Sequence, residues 1–400
     1  MLLAIIFCKR FSLYLKQVDY NHNPQTMKYF RLFALLLIPF FPAISQDQKP
    51  KLLEINAQAP DFNLQGVDDK FYTLENFEDH DYLVVLFTCN HCPTAQAYED
   101  KIIDLVNDYK EKGVGFVAIS PNDPSAISLA ELGYSDLNDD LDDMKIRAKE
   151  KNFNFPYLYD GQTQEASIAY GPAATPHVFV FDQERKLKYS GRIDDTENPY
   201  VEPKSKDLEN ALDDLLENQE PEVPTTKTFG CSVKWSWQGE YGERLKEQWA
   251  EEEVNLKEID LQGISSLVKN GGGDKLRLIN IWATWCGPCI VEFPDFVDIN
   301  RMYRDRDFEF ISLSADKMGS KEKALNFLKK KQASNTNYIF SGEDIYDLID
   351  VVDKEWQGSL PYTALIDSEG NVLYKVEGTI DPAALKSKIV NYLGRYYADN

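Results

Sequence analysis

The pattern of hydrophobic and polar positions repeats once along the chain. In each half an apolar strand leads into a Cys-x-x-Cys pair and a helical stretch, and a second apolar strand follows. After a further helical stretch, an X-Pro step precedes a third strand and then a fourth. The strands of the first half are LVVLF, GVGFVAIS, HVFVFD and KLKYSGRID, and those of the second are LRLINIWA, FEFISLS, YTALID and NVLYKVEGTI. Because strands that alternate with helices form α/β units, the sequence predicts two related α/β domains in tandem, each with a central mixed sheet flanked by helices.

A change in composition separates the two halves. A charged helical stretch at residues 204–220 is followed by Pro-Glu-Val-Pro-Thr-Thr, which is typical of an extended linker. The motif FGCSVKW then closes the first half. We therefore place the first domain at residues 52–237 and the second at residues 238–400. The repeat offset of about 200 residues is far longer than the period of a solenoid.

The N-terminal pattern is that of an export signal. From Met27 a short basic stretch leads into an apolar run at residues 32–41 and then into small residues before Ser45. This order predicts a signal peptide at residues 27–45, cleaved near Ser45. The run is short and interrupted by prolines, which disfavours a membrane span, and an uncleaved membrane anchor is the alternative. Residues 1–26 fit no export signal as cleanly, so we expect translation to begin at Met27 and the product to reach a bacterial periplasm.

The net charge limits the classes of partner. The chain has 43 basic and 66 acidic residues, a formal charge of −23. Nucleic acid and anionic lipid surfaces should repel such a chain. We therefore expect no nucleic-acid partner, whereas the charge says nothing about the fold or the oligomeric state.

The six cysteines are spaced as two pairs and two single residues. Cys89 with Cys92 and Cys286 with Cys289 form C-x-x-C pairs, Cys231 lies between them, and the sixth cysteine is in the N-terminal extension. This is not the dense spacing of a small disulfide-stapled scaffold. Isolated pairs in a long chain indicate either redox chemistry or metal binding.

The surroundings of the second pair favour redox chemistry. Cys286 directly follows a predicted strand, so it should lie at a helix N-terminus, where free amides and the helix dipole stabilise a thiolate. Cys289 lies one turn further on and can attack the mixed disulfide that the first cysteine forms with a substrate. Pro361 begins a later strand and is a candidate for a cis peptide bond beside the cysteines. A structural zinc site is disfavoured, because this half has no second suitably placed pair.

At these residues the second half resembles the TlpA-type subfamily of exported thioredoxins. The resemblance rests on WATWCGPC, on the Glu292-Phe293-Pro294 that follows and on SLPYTALID, and it covers roughly residues 250–395. It implies that Cys286 is the nucleophile and Cys289 the resolving cysteine. It also places Asn280 where cytoplasmic thioredoxins have a buried Asp. Glu292, one turn beyond Cys289, is our candidate for handling protons, and a solvated surface glutamate is the alternative.

The first pair has a different loop, Thr88-Cys89-Asn90-His91-Cys92-Pro93. It again follows an apolar strand, so Cys89 is predicted to cap a helix. His91 can stabilise a neighbouring thiolate and make the disulfide a stronger oxidant, although burial would oppose this by disfavouring the imidazolium. Pro176, after Thr175, is predicted to be the equivalent cis proline.

The first half resembles redoxin-like thioredoxin-family proteins of the peroxiredoxin-related branch. The resemblance rests on FTCNHCP, MKIRAKEKNFNFPYLYD, TPHVFVFD, SGRIDD and FGCSVKW, and it covers about residues 55–237. Both resemblances imply a thioredoxin-like fold, so the chain is predicted to consist of two consecutive thioredoxin-like domains. The acidic run SDLNDDLDD lacks the glycine and final Glu of a calcium loop and is predicted to begin the next helix.

Cys231, in the closing FGCSVKW motif, has two interpretations. It is either a third redox thiol, which resolves Cys89 or passes electrons between the domains, or a buried free cysteine that packs as a small hydrophobic residue. The sequence does not decide between them.

Two other functions compete with disulfide exchange. A thiol peroxidase needs Thr-x-x-Cys after an upstream Pro. Here Thr88 to Cys92 is one residue longer and the Pro is absent, although Arg192 is a possible cationic partner. A copper(I) chaperone would use thiolate and imidazole ligands, here Cys89, Cys92, His91 and His177. Against it, His177 directly follows Pro176 and one step along a strand reverses the side chain.

These patterns predict an exported thiol–disulfide oxidoreductase that needs no organic cofactor or metal. Its partners would be protein disulfides or dithiols and an upstream membrane or periplasmic electron donor. We hypothesise that the two unlike C-x-x-C sites form a relay in which one domain reduces the other.

Overall fold

The computed structural model describes residues 49–198, 200–270 and 273–396. The predicted extension at residues 1–26 and the predicted signal peptide at residues 27–45 lie outside the described residues. Within the described ranges, no helix is both long enough and apolar enough to cross a bilayer.

The first half forms one seven-stranded mixed sheet. Its strands are β1 (Leu64–Gly66), β2 (Phe71–Tyr72), β3 (Tyr82–Phe87), β4 (Val114–Ser120), β5 (Tyr157–Tyr159), β6 (His177–Phe181) and β7 (Leu187–Gly191). Their order is β2-β1-β5-β4-β3-β6-β7. The central strands β3, β4 and β5 are parallel, whereas β6 and β7 run antiparallel. Strand β3 is almost wholly buried, as expected of a strand covered on both faces.

The second half repeats this plan in a six-stranded sheet. Its strands are β8 (Lys257–Ile259), β9 (Leu276–Trp282), β10 (Phe308–Ser314), β11 (Thr336–Phe340), β12 (Tyr362–Ile366) and β13 (Val372–Glu377). Their order is β13-β12-β9-β10-β11-β8, with β8 to β11 parallel and β12 and β13 antiparallel. The four strands predicted in each half are therefore confirmed, and short additional strands extend each sheet.

Helices cover both faces of each sheet. Those of the first half are α1 (Pro93–Ala97), α2 (Glu99–Tyr109), α3 (Leu141–Lys151), α4 (Glu165–Tyr170) and α5 (Asp207–Leu216). Those of the second half are α6 (Glu240–Glu251), α7 (Leu261–Lys269), α8 (Gly287–Tyr303), α9 (Lys321–Lys330), α10 (Ile345–Val352) and α11 (Pro382–Leu393). Asp140 caps α3 through the amides of Asp142 and Asp143, which confirms that the acidic run begins this helix.

One segment of the first half packs against the second. This bridging segment, residues 127–139, places Leu132 in a buried cluster with Phe296 and Met302 of α8. The Tyr303 hydroxyl donates a hydrogen bond to the Ser135 carbonyl oxygen at 2.8 Å. The two halves thus share apolar and polar contacts at the C-terminal end of α8.

The predicted linker is hydrogen-bonded to the first sheet. Thr225 forms a bridge with Ser190 of β7, and the Ser190 amide donates to the Pro224 carbonyl oxygen at 3.0 Å. Its backbone is therefore held along the edge of the first sheet. The chain then crosses the end of that sheet as residues 229–235, which we call the closing segment.

Candidate redox sites

The second site lies at the N-terminus of α8. Cys286 is the N-cap residue, and its sulfur accepts a hydrogen bond from the Cys289 amide at 3.3 Å. The two cysteines form a disulfide with a Cα–Cα distance of 5.4 Å. Pro288 is in the first turn, where its missing N–H leaves no intrahelical bond unmade. The predicted position of Cys286 at a helix N-terminus is confirmed.

The surface beside this disulfide is apolar and open to solvent. Trp285 is 68% exposed and Val291 is 79% exposed, whereas Cys286 is 6% exposed. Trp282, by contrast, is fully buried against Phe293. The site therefore places a largely buried disulfide next to exposed apolar side chains on which another protein could pack.

The predicted cis proline of this half is confirmed, since the Leu360–Pro361 bond is cis. Strand β12 follows at once, with Tyr362 paired to Ile281 near the end of β9. Leu360 packs against the apolar cluster that contains both cysteines. Pro361 is thereby placed beside the disulfide.

Glu292 is buried beneath this site. Its exposed fraction is 5%, so the interpretation as a solvated surface glutamate is wrong. Burial raises its pKa to about 7, although the Ile380 amide and the side chain of Asn280 favour the charged form. The Ile380 amide donates to Oε2 at 3.0 Å, while Oε1 has no hydrogen-bond partner among the described residues. Because Glu292 is three residues beyond Cys289, both side chains lie on the same face of α8.

Helix α1 of the first site begins later than predicted. Cys92, not Cys89, is the N-cap residue, because Pro93 occupies the first position of α1. The prediction that Cys89 caps a helix is therefore wrong. Cys89 lies in the preceding loop, where the amides of Asn90 and His91 donate to Asp139 Oδ1 at 2.8 and 2.9 Å.

Both cysteines of the first site are free and buried, with exposed fractions of 2% for Cys89 and 0% for Cys92. Cys89 Sγ lies 3.2 Å from the Thr175 hydroxyl, and Cys92 Sγ lies 3.2 Å from the Thr175 carbonyl oxygen. The Thr175–Pro176 bond is cis, as predicted. Thr175 therefore contacts both sulfurs from the loop that precedes β6.

His91 forms a buried ion pair with Asp139. Its Nδ1 lies 2.6 Å from Asp139 Oδ2, and Asn122 Nδ2 donates to the same oxygen at 2.7 Å. Burial alone would lower the pKa of His91, but the charge and hydrogen bond of Asp139 raise it above its ordinary value. Burial raises the pKa of Asp139, but the charge and hydrogen bond of His91 lower it. The pKa of Asp139 therefore falls below its ordinary value. Burial therefore does not cancel the cationic form of His91.

The surroundings of the two sulfurs separate their acidities. Burial raises the pKa of Cys89 well above its ordinary value, and the hydrogen bond to Cys92 and the charge of Asp139 add to this effect. Burial also disfavours a Cys92 thiolate, as does the Thr175 carbonyl oxygen. Hydrogen bonds from Cys231, Cys89 and the Ala95 amide, together with the charge of His91, nevertheless lower the pKa of Cys92 well below its ordinary value. Cys92 is thus the more acidic thiol of the pair, and Cys89 the less acidic one.

Cys231 lies against Cys92 rather than Cys89. Its amide donates to Cys92 Sγ at 3.4 Å, and its carbonyl oxygen accepts from the Thr175 amide at 2.9 Å. The hydrogen bond to Cys92, with burial, raises the pKa of the Cys231 thiol above its ordinary value. The structure therefore places three sulfurs at one site.

The residues of the alternative functions are engaged elsewhere. Arg192 Nε donates to Asp207 Oδ2 at 2.6 Å. His177 accepts from the Ala173 amide at 3.0 Å, and its other ring nitrogen lies 3.1 Å from the Ser190 hydroxyl. Burial lowers the pKa of His177 to about 3. The copper ligand set that includes His177 is therefore not assembled.

A different group of possible ligand atoms lies at the first site. Cys89, His91 and Asp139 each bring one such atom within 4.8 Å of the others. Both Asp139 oxygens, however, already accept hydrogen bonds from N–H groups of His91 and two neighbouring residues. Asp139 is the main feature that the sequence did not single out. Only the acidic run SDLNDDLDD signalled it, and nothing there distinguishes Asp139 from its neighbours.

Comparison with protein families matches redoxin over residues 54–212 and again over residues 254–393. The thiol-disulfide oxidoreductase ResA of a Bacillus cereus strain is 32% identical over 142 residues, which cover 36% of this chain and 77% of that protein. Two solved structures each align with 47% of this chain at a TM-score of 0.42. One is a hypothetical protein from Sinorhizobium meliloti 1021, 30% identical and 97% covered, and the other an uncharacterized conserved protein from Geobacillus kaustophilus, 35% identical and 96% covered. This chain belongs to the redoxin family, with two thioredoxin-like domains in tandem, and it is a thiol–disulfide oxidoreductase.

Proposed function

We propose that this chain is exported and exchanges disulfides with protein substrates through both of its C-x-x-C sites. The observation that carries the proposal is the Cys286–Cys289 pair at a helix N-terminus, beside the exposed Trp285 and above the buried Glu292. A folded protein can pack on that apolar surface while its disulfide approaches Cys286. The proposed environment is a bacterial periplasm, with an upstream membrane or periplasmic donor that supplies electrons.

At the second site, the reduced enzyme reacts in two steps. The Cys286 thiolate attacks one sulfur of a substrate disulfide, forms a mixed disulfide and releases the first substrate thiolate. Cys289 then gives its proton to Glu292 and attacks the Cys286 sulfur, which releases the second thiolate. Glu292 suits this transfer because a group with a pKa of about 7 both accepts and returns a proton near neutral pH. Oxidation of a substrate dithiol runs the same steps in reverse.

At the first site, Cys92 is the proposed nucleophile and His91 the group that stabilises its thiolate. This assignment differs from the one implied by the second site, where the first cysteine attacks. It rests on the helix start at Pro93 and on the donors around Cys92 Sγ. Pro176 and Pro361 are proposed to position the loops on which substrates are held at the two sites.

We also propose a relay between the sites, which requires the two halves to move. Cys286 precedes α8 and Tyr303 ends it, and a helix of 17 residues is about 25 Å long. Tyr303 contacts Ser135, whose hydroxyl lies 3.4 Å from the Asn90 carbonyl oxygen of the first site. The two pairs therefore lie toward opposite ends of one helix, and exchange between them needs the bridging segment to detach.

A thiol peroxidase is the second candidate, and the burial of the first site is the observation that favours it. Cys89 and Cys92 are at most 2% exposed. A small peroxide can reach sulfurs that are this deeply buried more easily than a folded protein can. In that case the second domain would reduce the first.

The proposal is tested with the full-length protein and two variants, Cys286→Ser/Cys289→Ser and Cys89→Ser/Cys92→Ser. Reduction of insulin disulfides is measured for each in the presence of dithiothreitol. We expect the first double variant to lose most of the activity and the second to retain it. Full activity in the variant that lacks Cys286 and Cys289 would contradict the assignment of the second site.

A further inference from the structure

The first site contains three sulfurs but only two belong to its C-x-x-C pair. The Cys231 amide donates to Cys92 Sγ at 3.4 Å, and the Cys231 side chain packs against the buried cluster of Cys89, Cys92 and Ala95. The sulfurs of Cys89 and Cys92 both contact Thr175, one at its hydroxyl and the other at its carbonyl oxygen, each at 3.2 Å. Cys89 and Cys231 are therefore both neighbours of Cys92.

The three cysteines differ in their exposure to solvent. Cys89 and Cys92 are buried, whereas Cys231 keeps part of its surface exposed. A partner that approaches the folded site therefore meets Cys231 first. This ordering matters because the rate of thiol–disulfide exchange depends on access of one sulfur to another, which burial reduces.

The closing segment holds Cys231 in place at several points. Thr175 and Cys231 form an antiparallel bridge, and the Lys234 amide donates to Asn122 Oδ1 at 2.8 Å. Gly230 has a φ of +120°, and a Cβ there would lie 2.1 Å from the Thr175 carbonyl oxygen. The closing segment thus pairs with Thr175 like a short added strand. At Gly230 its backbone lies too close to the Thr175 backbone for a residue with a side chain.

Asn122 connects this segment to the ion pair of the site. Its Oδ1 accepts from the Lys234 amide, and its Nδ2 donates to Asp139 Oδ2. The same carboxylate holds His91. The position of Cys231 and the charge beside Cys92 therefore depend on one shared side chain.

We propose that Cys231 is a third redox thiol of the first site, which forms a disulfide with Cys92 and so connects the buried Cys89–Cys92 pair to dithiols of partner proteins. This inference rests on the proposed function of the first site and adds to it the residue through which electrons enter. It pairs Cys231 with Cys92, whereas the redox interpretation of the sequence had Cys231 resolve Cys89 or pass electrons between the domains.

The electron transfer balances in three steps, starting from a Cys89–Cys92 disulfide. Cys231 loses its proton and attacks Cys92 Sγ, and Cys89 leaves as a thiolate that takes up that proton. A thiolate of the partner dithiol then attacks Cys231 Sγ, and Cys92 leaves as a stable thiolate. The second partner thiol attacks the mixed disulfide and releases Cys231 as a thiol. The partner loses two electrons and two protons, of which Cys231 keeps one and solvent takes the other.

The test uses the full-length protein with Cys286→Ser/Cys289→Ser, so that the second pair contributes no disulfide. The reduced protein is oxidised with glutathione disulfide, quenched in acid, alkylated and digested, and disulfide-linked peptides are identified by mass spectrometry. We expect a Cys92–Cys231 peptide beside the Cys89–Cys92 peptide. In Cys89→Ser the Cys92–Cys231 peptide should become the main product, and in Cys231→Ser it should be lost while Cys89–Cys92 still forms.

A relocated thiol provides the matched control. In Cys231→Ser/Ser232→Cys the cysteine moves one residue along an extended segment, which reverses its direction, so no cross-link to Cys92 is expected. A rate measurement complements the mapping. Reduction of the oxidised first site by thioredoxin-type dithiol proteins should slow by about tenfold or more in Cys231→Ser, with unchanged circular dichroism.

The outcomes separate this inference from the proposed function. If Cys89–Cys92 forms but Cys92–Cys231 appears in neither the parent nor Cys89→Ser, the role of Cys231 is overturned and disulfide exchange at the first site stands. If no disulfide forms at this site in any variant, both fail. A relocated cysteine that cross-links to Cys92 as well as the native one would also overturn the inference.

Discussion

His91 Nδ1 lies 2.6 Å from Asp139 Oδ2 inside the first site, and His91 directly precedes Cys92. A buried histidine would ordinarily be neutral, because desolvation disfavours its charged form. Asp139 reverses this preference and raises the pKa of His91. The cationic form of His91 is thereby favoured beside a sulfur that has little contact with water.

Replacing Asp139 tests this relationship. In Asp139→Asn the pKa of His91 should fall, because burial then acts without the opposing carboxylate, and the pKa of Cys92 should rise with it. The thiolate absorbance of the reduced protein, followed against pH, measures the pKa of the thiol, and the NMR shifts of the imidazole measure that of His91. Asp140→Asn is the matched control, since Asp140 caps α3 without contacting His91. Identical thiolate titrations for Asp139→Asn and the parent protein would contradict the role of the pair.

The same pair makes stability depend on pH in a defined direction. The folded-state pKa of His91 is raised, so its contribution is fully present below the unfolded value of 6.5 and is lost as pH rises through the folded value. The folded-state pKa of Asp139 is lowered, so its contribution is present above 3.8 and is lost as pH falls through the folded value. Calorimetric Tm differences between the parent and His91→Gln should therefore shrink above neutral pH. A difference that grows with pH would exclude a cationic His91.

Glu292→Gln should separate proton transfer from folding at the second site. Its amide oxygen can still accept the Ile380 N–H, so the fold is retained. Without the carboxylate, release of the mixed disulfide should slow by roughly 10²-fold, and the pH dependence of the rate near 7 should vanish. Asp298→Asn removes an exposed charge from the same helix and is the control, since Asp298 is not among the groups that shift the pKa of Glu292. A pH profile unchanged in Glu292→Gln would rule out its role in proton transfer.

Glu292→Gln should also change how the stability of the protein depends on pH. Because the folded-state pKa of Glu292 is about 7, the native state holds a proton that the unfolded state has released between about pH 4.5 and 7. The parent protein therefore loses stability as pH rises through this window, by roughly 1–3 kcal/mol. Glu292→Gln should not show this loss, so it should be more stable than the parent at pH 8 relative to pH 4.

Gly230→Ala should displace the closing segment. The positive φ and the 2.1 Å approach of a Cβ to the Thr175 carbonyl oxygen both oppose a side chain, at a cost of about 1–3 kcal/mol. Cross-linking of Cys231 to Cys92 should fall with it. Gly239→Ala, where the nearest atom to an added Cβ is 3.6 Å away, should change neither property. Equal cross-linking in both variants would show that the segment is not held at Gly230.

Leu132→Ala should loosen the contact between the halves. Leu132 is 5% exposed and packs with Phe296 and Met302, so its truncation should cost about 2–5 kcal/mol. If the relay requires separation of the halves, electron exchange between the two sites should become faster in this variant. The exchange is followed as disulfide transfer after the Cys286–Cys289 pair alone has been oxidised. Slower exchange in Leu132→Ala would indicate that the contact promotes the relay.

The second site follows from the sequence because its determinants are local. Helix α8 begins where an apolar strand is followed at once by a C-x-x-C pair that contains Pro288. These neighbouring residues determine where the helix starts and place Cys286 at its N-terminus. The strands were predictable for the same reason, since β3 is a continuous apolar run and β9 is interrupted only by Arg277 and Asn280. Short edge strands such as β2, with only two residues, carry no such signal.

The first site depends on contacts that are distant in sequence. Pro93 after the second cysteine signals the later helix start, but the protonation of His91 depends on Asp139, which is 48 residues away. Cys231 reaches Cys92 across 139 residues. No periodicity or residue spacing in the sequence indicates either contact. Glu292 is intermediate, because its position on α8 was predictable whereas its burial required the loop at Ile380.

The most direct test of disulfide exchange at both sites compares two oxidants on the fully reduced protein. Second-order rates of oxidation by hydrogen peroxide and by a protein disulfide are measured for the parent, Cys286→Ser/Cys289→Ser and Cys89→Ser/Cys92→Ser. We expect the protein disulfide to react faster than peroxide in the parent and in both variants, most strongly where Cys286 and Cys289 remain. Rapid peroxide consumption that requires Cys89 or Cys92, with no reaction of that pair with the protein disulfide, would contradict this and make the first domain a peroxidase.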